Sequence, residues 1–278
     1  VRSSQFWVDG IEAAGLPADD RGLLLADGVF ETLWWDGVRL LYSEFHEARL
    51  THGLTVLRFQ EPEQQAREAL TSLQTVLEGA AALVTGVVRL TLTRGSGPRG
   101  YRPPTTANAR AIVAFYPAET SGFQPLRLGW SEIRWSYQPL FASAKLLART
   151  EQVLAAAQAL EQGVDDVLMM DTEAHVISSS CANVLARFGQ QLLTPKLEGL
   201  GIAGTRLAVI RDYIAARHGL SVRDVSLSRE DLLDADEVLL CNAVRGVQSA
   251  AQLESREWHD FALGLALHED LVAGRIDA

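Results

Sequence analysis

Of the 25 basic residues in this 278-residue chain, only Lys145 and Lys196 are lysines. Arginine serves wherever a positive charge is enough, so each lysine asks for a chemical reason. Lys196 lies in "LTPKLEG", a polar turn after Pro195, and reads as an exposed surface charge. Lys145 lies in "LFASAKLLA", where small and apolar neighbours favour the neutral amine over the ammonium. A neutral amine attacks an aldehyde, whereas a guanidinium is effectively never deprotonated and forms no Schiff base. Lys145 is therefore either a covalent nucleophile or a lysine whose stem covers apolar surface while its charged end reaches water.

A second candidate is the loop "TRGSGPRGY", where Arg94, Arg99 and Tyr101 offer planar cations and a phenol suited to carboxylates. A solvated loop has the same composition. Its residues 95–100, "GSGPRG", also fit the dinucleotide fingerprint G-x-G-x-x-G after a strand. That reading fails, because Pro103 and Pro104 stand where the phosphate-facing helix would have to run. No G-x-S-x-G, Walker loop, H-E-x-x-H or zinc-spaced cysteine pair occurs, and the six histidines do not cluster, so a hydrolase or metal site has no support. A net charge of -10 argues against nucleic acid as a partner. No apolar run approaches a membrane span, and "VRSSQFWVDG" lacks a signal peptide's apolar stretch. Cys181 and Cys241 are too few for a disulfide framework and read as buried apolar thiols. A cytoplasmic protein with no membrane partner is expected.

The elements that must position these residues mix strands and helices without strict βαβ alternation, which predicts α+β. "FETLWW" and "VRLLY" flank Asp36-Gly37 as a type I′ hairpin, with Trp34 and Trp35 filling core. Residues 43–57 and 62–77 read as helices, and "GVVRLTLTR" and "ARAIVAFY" as strands. The Pro- and Gly-bearing stretch "PAETSGFQP" predicts a linker over 119–125, between a domain of residues 1–118 and one of residues 126–278 that carries Lys145. Beyond it, "AKLLARTEQVLAAAQALEQG" reads as a helix stopped by Gly163. "DDVLMMD" and "AHVIS" are strands, and "NVLARF" and "QLLTP" pair across Gly189-Gln190. Residues 205–217 form a helix, "EVLLCNA" a strand, and "WHDFALGLALHEDLVAG" a closing helix.

Together, "LLLADGVFETLWWDG", "HEARL", "LTRGSGPRGY", "AKLLARTEQVLAAAQA", "DDVLMMDTEAHVISSSCANVL", "LLTPKLEGLGIAGTR" and "ADEVLLCNAVRGV" resemble the fold-type IV pyridoxal phosphate enzymes, in that family's order. The family includes branched-chain and D-amino-acid aminotransferases and the 4-amino-4-deoxychorismate lyases, and "RGSGPRGY", "ARTEQVL" and "LLCNA" are most similar to the lyases. The resemblance implies an N-terminal α+β domain, a C-terminal pseudo-barrel and pyridoxal 5'-phosphate as cofactor. It implies that Lys145 holds the cofactor and acts as base, that Arg49 grips its phosphate, and that Gly204, Thr205, Arg206 and Asn242 add phosphate contacts. Read without it, Arg49 is one more charge on a solvated helix face, and Gly204 an ordinary helix start. Asn183 matches the asparagine ending the family's strand motif, in a structural or a chemical role. Phe30, Arg99 and Tyr101 would meet substrate, the last two across the interface of a homodimer.

Counting back from Asn183, the family's glutamate at the pyridine nitrogen falls on Ser178. A carboxylate there keeps the nitrogen protonated, and the cationic ring accepts electrons; serine can only hydrogen-bond. Transamination should suffer most from that change. Elimination suffers less, because the leaving group departs as the proton does. The resemblance thus implies a lyase that converts aminodeoxychorismate to 4-aminobenzoate and pyruvate for folate biosynthesis. The alternatives are an aminotransferase for branched-chain or D-amino acids, and a non-catalytic relative that only binds a ligand.

Overall fold

The computed structural model describes residues 3–12, 15–80, 84–105 and 109–274. The chain forms two compact units, one of Val1–Thr120 with Ala144–Ala148, the other of Ser121–Ser143 with Arg149–Ala278.

In the first unit, β1 (Gln5–Val8), β2 (Ile11–Glu12), β3 (Gly28–Trp35), β4 (Gly86–Thr93) and β5 (Arg110–Pro117) make an antiparallel sheet in the order β2-β1-β5-β4-β3. The short α1 (Arg21–Leu25) leads into β3, and α2 (Ser43–Val56) and α3 (Pro62–Gly79) lie between β3 and β4 in the chain. Alternate residues of β4, namely Val88, Leu90 and Leu92, enter one core with Val29, Leu33 and Trp35 of β3. Helix α3 adds Ala66, Ala69, Leu70, Leu73 and Leu77, an apolar stripe at helical spacing, and α2 adds Leu50 and Leu54. Phe30 and Trp34 alternate with these core residues and are buried too.

Two expectations about this unit need correction. "VRLLY" is no second hairpin strand: only Leu40 bridges Trp35, because the Asp36 carboxylate takes the N–H groups of Val38 and Arg39 and closes the turn itself. Nor does a helix begin at Ala144. The Phe30 N–H donates to Lys145 O and the Leu147 N–H to Gly28 O, so residues 145–147 lie along the otherwise unpaired edge of β3, with Ala144 and Leu146 in its core. This backbone pairing is why the lysine-bearing segment clusters with the first unit rather than the second.

The second unit holds β6 (Leu126–Arg134), β7 (Asp166–Met170), β8 (Val176–Ser179), β9 (Asn183–Phe188), β10 (Gln191–Pro195), β11 (Ser221–Val225), β12 (Glu237–Asn242), β13 (Gly246–Leu253) and β14 (Arg256–Glu257). Their order is β11-β10-β9-β12-β13-β6-β7-β8, with β14 on β13. Pairs β10·β11, β13·β6 and β6·β7 are parallel and the rest antiparallel. The sheet curls, so that β8, at one end of the order, packs beside β9 and β10 near the other. Strand β7 is buried along its whole length, as a strand covered on both faces must be. Helix α4 (Thr150–Gln162) stops at Gly163, whose φ of +66° favours glycine. Helix α5 (Thr205–Val209) continues through a π turn at Ile210–Ile214 and a 3-10 turn at Ala215–His218, and α6 (Arg229–Asp234) and α7 (Ala262–Val272) complete the unit. No helix among the described residues is long and apolar enough to cross a membrane.

Candidate active site

In the first unit the β3 edge presents Lys145. The residue is half-buried, and its Nζ stands 4.5 Å from the centroid of the Phe30 ring. The guanidinium of Arg89, from β4, approaches the same ring at 3.8 Å. Burial pulls the Arg89 pKa down. The Phe30 ring thus carries two cations, Lys145 and Arg89.

On the helix-covered face of β3, a fully buried carboxylate, Glu31, meets two side chains of α2. Arg49 grips it with two bonds, Nε to Oε1 at 2.8 Å and Nη2 to Oε2 at 2.5 Å, while His46 Nδ1 lies 2.6 Å from Oε2. Burial by itself would raise the Glu31 carboxyl, but Arg49 and His46 outweigh it and hold it down to about 2. Arg49 is therefore no solvated surface charge; its guanidinium plane is set by a bidentate bond. A charge inside the apolar strand "GVFETLWW" must find a buried partner, and that signal could have located Glu31 and His46 in the sequence. In the same unit, Arg99 and Tyr101 project outward from their loop, Tyr101 being 88% exposed.

The second unit gathers Ser178, Asn183, Gly204, Thr205, Arg206 and Asn242. Ser178 is buried at the end of β8; its Oγ accepts from Trp135 Nε1 at 2.9 Å and donates to Ser179 O at 2.7 Å. A neutral hydroxyl with fixed partners therefore occupies that position. Trp135 lies just past β6, a strand unassigned from sequence, so nothing in the sequence pointed to it.

Gly204 starts the helical run of α5, and no side chain caps that start. A Cβ on Gly204 would lie 1.7 Å from Asn183 Oδ1, so only glycine fits. Asn183 is structural, since its Nδ2 donates to Ile202 O at 3.0 Å. Ser143 ties down the same turn: its N–H donates to Gly201 O and its carbonyl accepts from Ala203 N. Thr205 and Arg206 are buried at the helix start, with Arg206 Nη2 3.4 Å from Ala243 O. Backbone donors at an uncapped start, beside a buried guanidinium, match a phosphate dianion. Each unit by itself offers groups whose chemistry suits pyridoxal phosphate: the first an amine able to take its aldehyde, the second a glycine-lined helix start with a cation suited to its phosphate.

Asn242 turns its Oδ1 to the N–H groups of Val244 and Arg245, and its Nδ2 lies 3.5 Å from Cys181 O. The two bonds accepted by Oδ1 close the β12–β13 turn. Cys241 is buried as expected, whereas Cys181 is exposed. The Cys181 sulfur still lies against Asp166, and its own burial together with that carboxylate pushes the thiol up to about 11, an inert value. Among the described residues no cluster could hold a metal ion.

The family model amino-transferase class IV matches residues 28–253. The chain is 30% identical to an aminodeoxychorismate lyase of Vibrio harveyi, over 93% of this chain and 95% of that protein. It is 27% identical to a bifunctional aminodeoxychorismate lyase / D-amino acid transaminase of Mycobacterium tuberculosis, over 87% and 86% of the two chains. The crystal structure of a 4-amino-4-deoxychorismate lyase from Pseudomonas aeruginosa superposes with a TM-score of 0.87 at 34% identity, covering 98% of this chain and all of that one.

Proposed function

The chain belongs to the amino-transferase class IV family, and from that premise we propose that it is a pyridoxal phosphate-dependent lyase converting 4-amino-4-deoxychorismate to 4-aminobenzoate and pyruvate. The observation that carries the reading is likeness along almost the whole length, in sequence and in fold, to two proteins of that activity. The proposal extends to a cytoplasmic homodimer serving folate biosynthesis.

Bound pyridoxal phosphate supplies an electron sink next to the substrate's amino carbon. Lys145 would hold that group through Nζ, and its amine would serve as the base for the proton on the carbon that bears the substrate's amino group. The Phe30 ring face restricts where that amine can point. Within the second unit, the Gly204–Arg206 helix start would receive the phosphate, with Asn242 at the β12–β13 turn; within the first, Glu31 orients the Arg49 guanidinium. Arg99 and Tyr101 receive a substrate carboxylate.

Ser178 tilts the choice between the family's reactions toward the lyase. Its hydroxyl cannot keep a ring nitrogen protonated as a carboxylate does, which disfavours steps that leave negative charge on the ring. Loss of pyruvate from the cyclohexadiene produces an aromatic ring, so the lyase reaction carries its own driving force. The second reading, an aminotransferase for branched-chain or D-amino acids, is supported by the bifunctional relative and by more distant D-alanine and branched-chain aminotransferases.

Two measurements test the proposal. Borohydride reduction of the holoenzyme followed by peptide mass spectrometry should place a phosphopyridoxyl group on Lys145. Incubation with aminodeoxychorismate should yield fluorescent 4-aminobenzoate. A label elsewhere, or conversion to the pyridoxamine form by an amino acid without 4-aminobenzoate formation, refutes it.

A further inference from the structure

The dinucleotide-like stretch "GSGPRG" does have a bound cation of its own, and it is a side chain. Arg21, 3% exposed at the start of α1, passes into this loop. Its backbone N–H donates to Gly95 O at 2.9 Å. Its stem runs past Gly97, where a Cβ would lie 2.8 Å from Arg21 Cδ. Its guanidinium then donates from Nη1 to Gly100 O at 3.0 Å and Arg102 O at 3.5 Å, and from Nη2 to Tyr101 O at 3.0 Å, while Nε takes Asp27 at 2.8 Å. All three glycines of the stretch therefore border one arginine. Gly100, with φ of +103°, lets the chain turn so that three successive carbonyls converge on it.

Converging carbonyls repel one another and are expensive to bury without donors, so this backbone shape depends on the cation at its centre. Arg21 is itself well anchored. The neighbouring Asp20 is fully buried and accepts from Gly22 N, Thr93 Oγ1 and Arg110 Nη1. Asp27 is braced by Arg94, which donates to the same carboxylate. The side chains of Arg99 and Tyr101 are exposed on either side of clamped Gly100.

We propose that Arg21 is a positioning residue: by holding the carbonyls of residues 100–102 it sets the direction in which Arg99 and Tyr101 are offered to a substrate carboxylate. The last clause rests on the assignment of those two side chains to substrate made above. Lysine cannot replace Arg21, because a compact ammonium lacks the planar fork that spans three carbonyls and a carboxylate.

The test compares wild-type and Arg21→Lys holoenzymes in two ways. Trypsin cleavage at the Arg99–Gly100 bond, followed by peptide mass spectrometry, should run about tenfold faster in the variant, as the loop opens more often. The KM for aminodeoxychorismate should rise about tenfold with kcat within about twofold, and the absorption of the bound cofactor should not change. Unchanged cleavage at that bond overturns the clamp, and unchanged KM overturns its role in substrate binding. If Arg21→Lys does not fold, Arg21→Gln, which keeps a planar donor amide, is judged by the same outcomes. Absence of lyase activity in the wild type would sink the proposed function, yet the cleavage comparison would still decide whether Arg21 holds the loop.

Discussion

Replacing Glu31 by glutamine tests whether the buried carboxylate orients Arg49 and stabilises the first unit. The carboxyl is held down from 4.5 to about 2, a difference that corresponds to about 3 kcal/mol of stability at neutral pH, at about 1.36 kcal/mol per pH unit. Because the folded-state value is the lower one, this stabilisation is complete above the unfolded value of 4.5 and is lost as the pH falls toward about 2. Glutamine keeps the shape but cannot accept both Arg49 bonds as a charged pair. It leaves a buried guanidinium without its counter-ion, a loss in the range of about 3–5 kcal/mol for a broken buried pair. Urea unfolding at pH 7 should therefore show Glu31→Gln less stable by about 3 kcal/mol, and at pH 3 the gap should shrink to roughly half, because the unfolded-state carboxyl takes up a proton while the folded one stays largely ionised. Pyridoxal phosphate should also bind more weakly, since Arg49 loses the bond that sets its plane. A loss below about 1 kcal/mol at pH 7, or an equal loss at both pH values, would refute the reasoning, because the pair would then add nothing beyond its surface-exposed equivalents.

Other substitutions probe the second unit. Ser178→Glu restores a carboxylate at the end of β8, and the half-reaction of the holoenzyme with D-alanine, followed by absorbance, should speed up by about tenfold or more, while an unchanged rate would mean that position 178 does not meet the ring. Gly204→Ala places a methyl 1.7 Å from Asn183 Oδ1. Either the helix start shifts or Asn183 releases Ile202 O, so thermal melting should report a loss of about 1–3 kcal/mol together with weaker cofactor binding. A variant as stable and as well loaded as wild type would show that the turn has room to spare.

Much of this protein follows from local chemistry. Apolar residues at helical spacing determine α3, and Gly163 ends α4 because its left-handed φ suits glycine. The two-residue loop Gly189-Gln190 joins β9 to β10 as their patterns require. The scarcity of lysine singled out Lys145, and Ser178 was conspicuous because a hydroxyl stood at the position of a family carboxylate. Only tertiary structure decided the remainder. Lys145 sits in an alanine- and leucine-rich segment that favours helix, yet the open edge of β3 offers hydrogen bonds that no window of sequence can weigh. Arg49 looked like a surface charge until Glu31, from another element, met it in the core. Trp135 and Ser178 are 43 residues apart in the chain and meet because β6 and β8 both pair with β7. Arg21 and residues 100–102, about eighty apart, were joined by the turn of a glycine loop. Local propensity acts over a few bonds, whereas a buried charge or carbonyl is satisfied by whatever partner the fold brings near, and that partner's distance along the chain has no bearing on its energy.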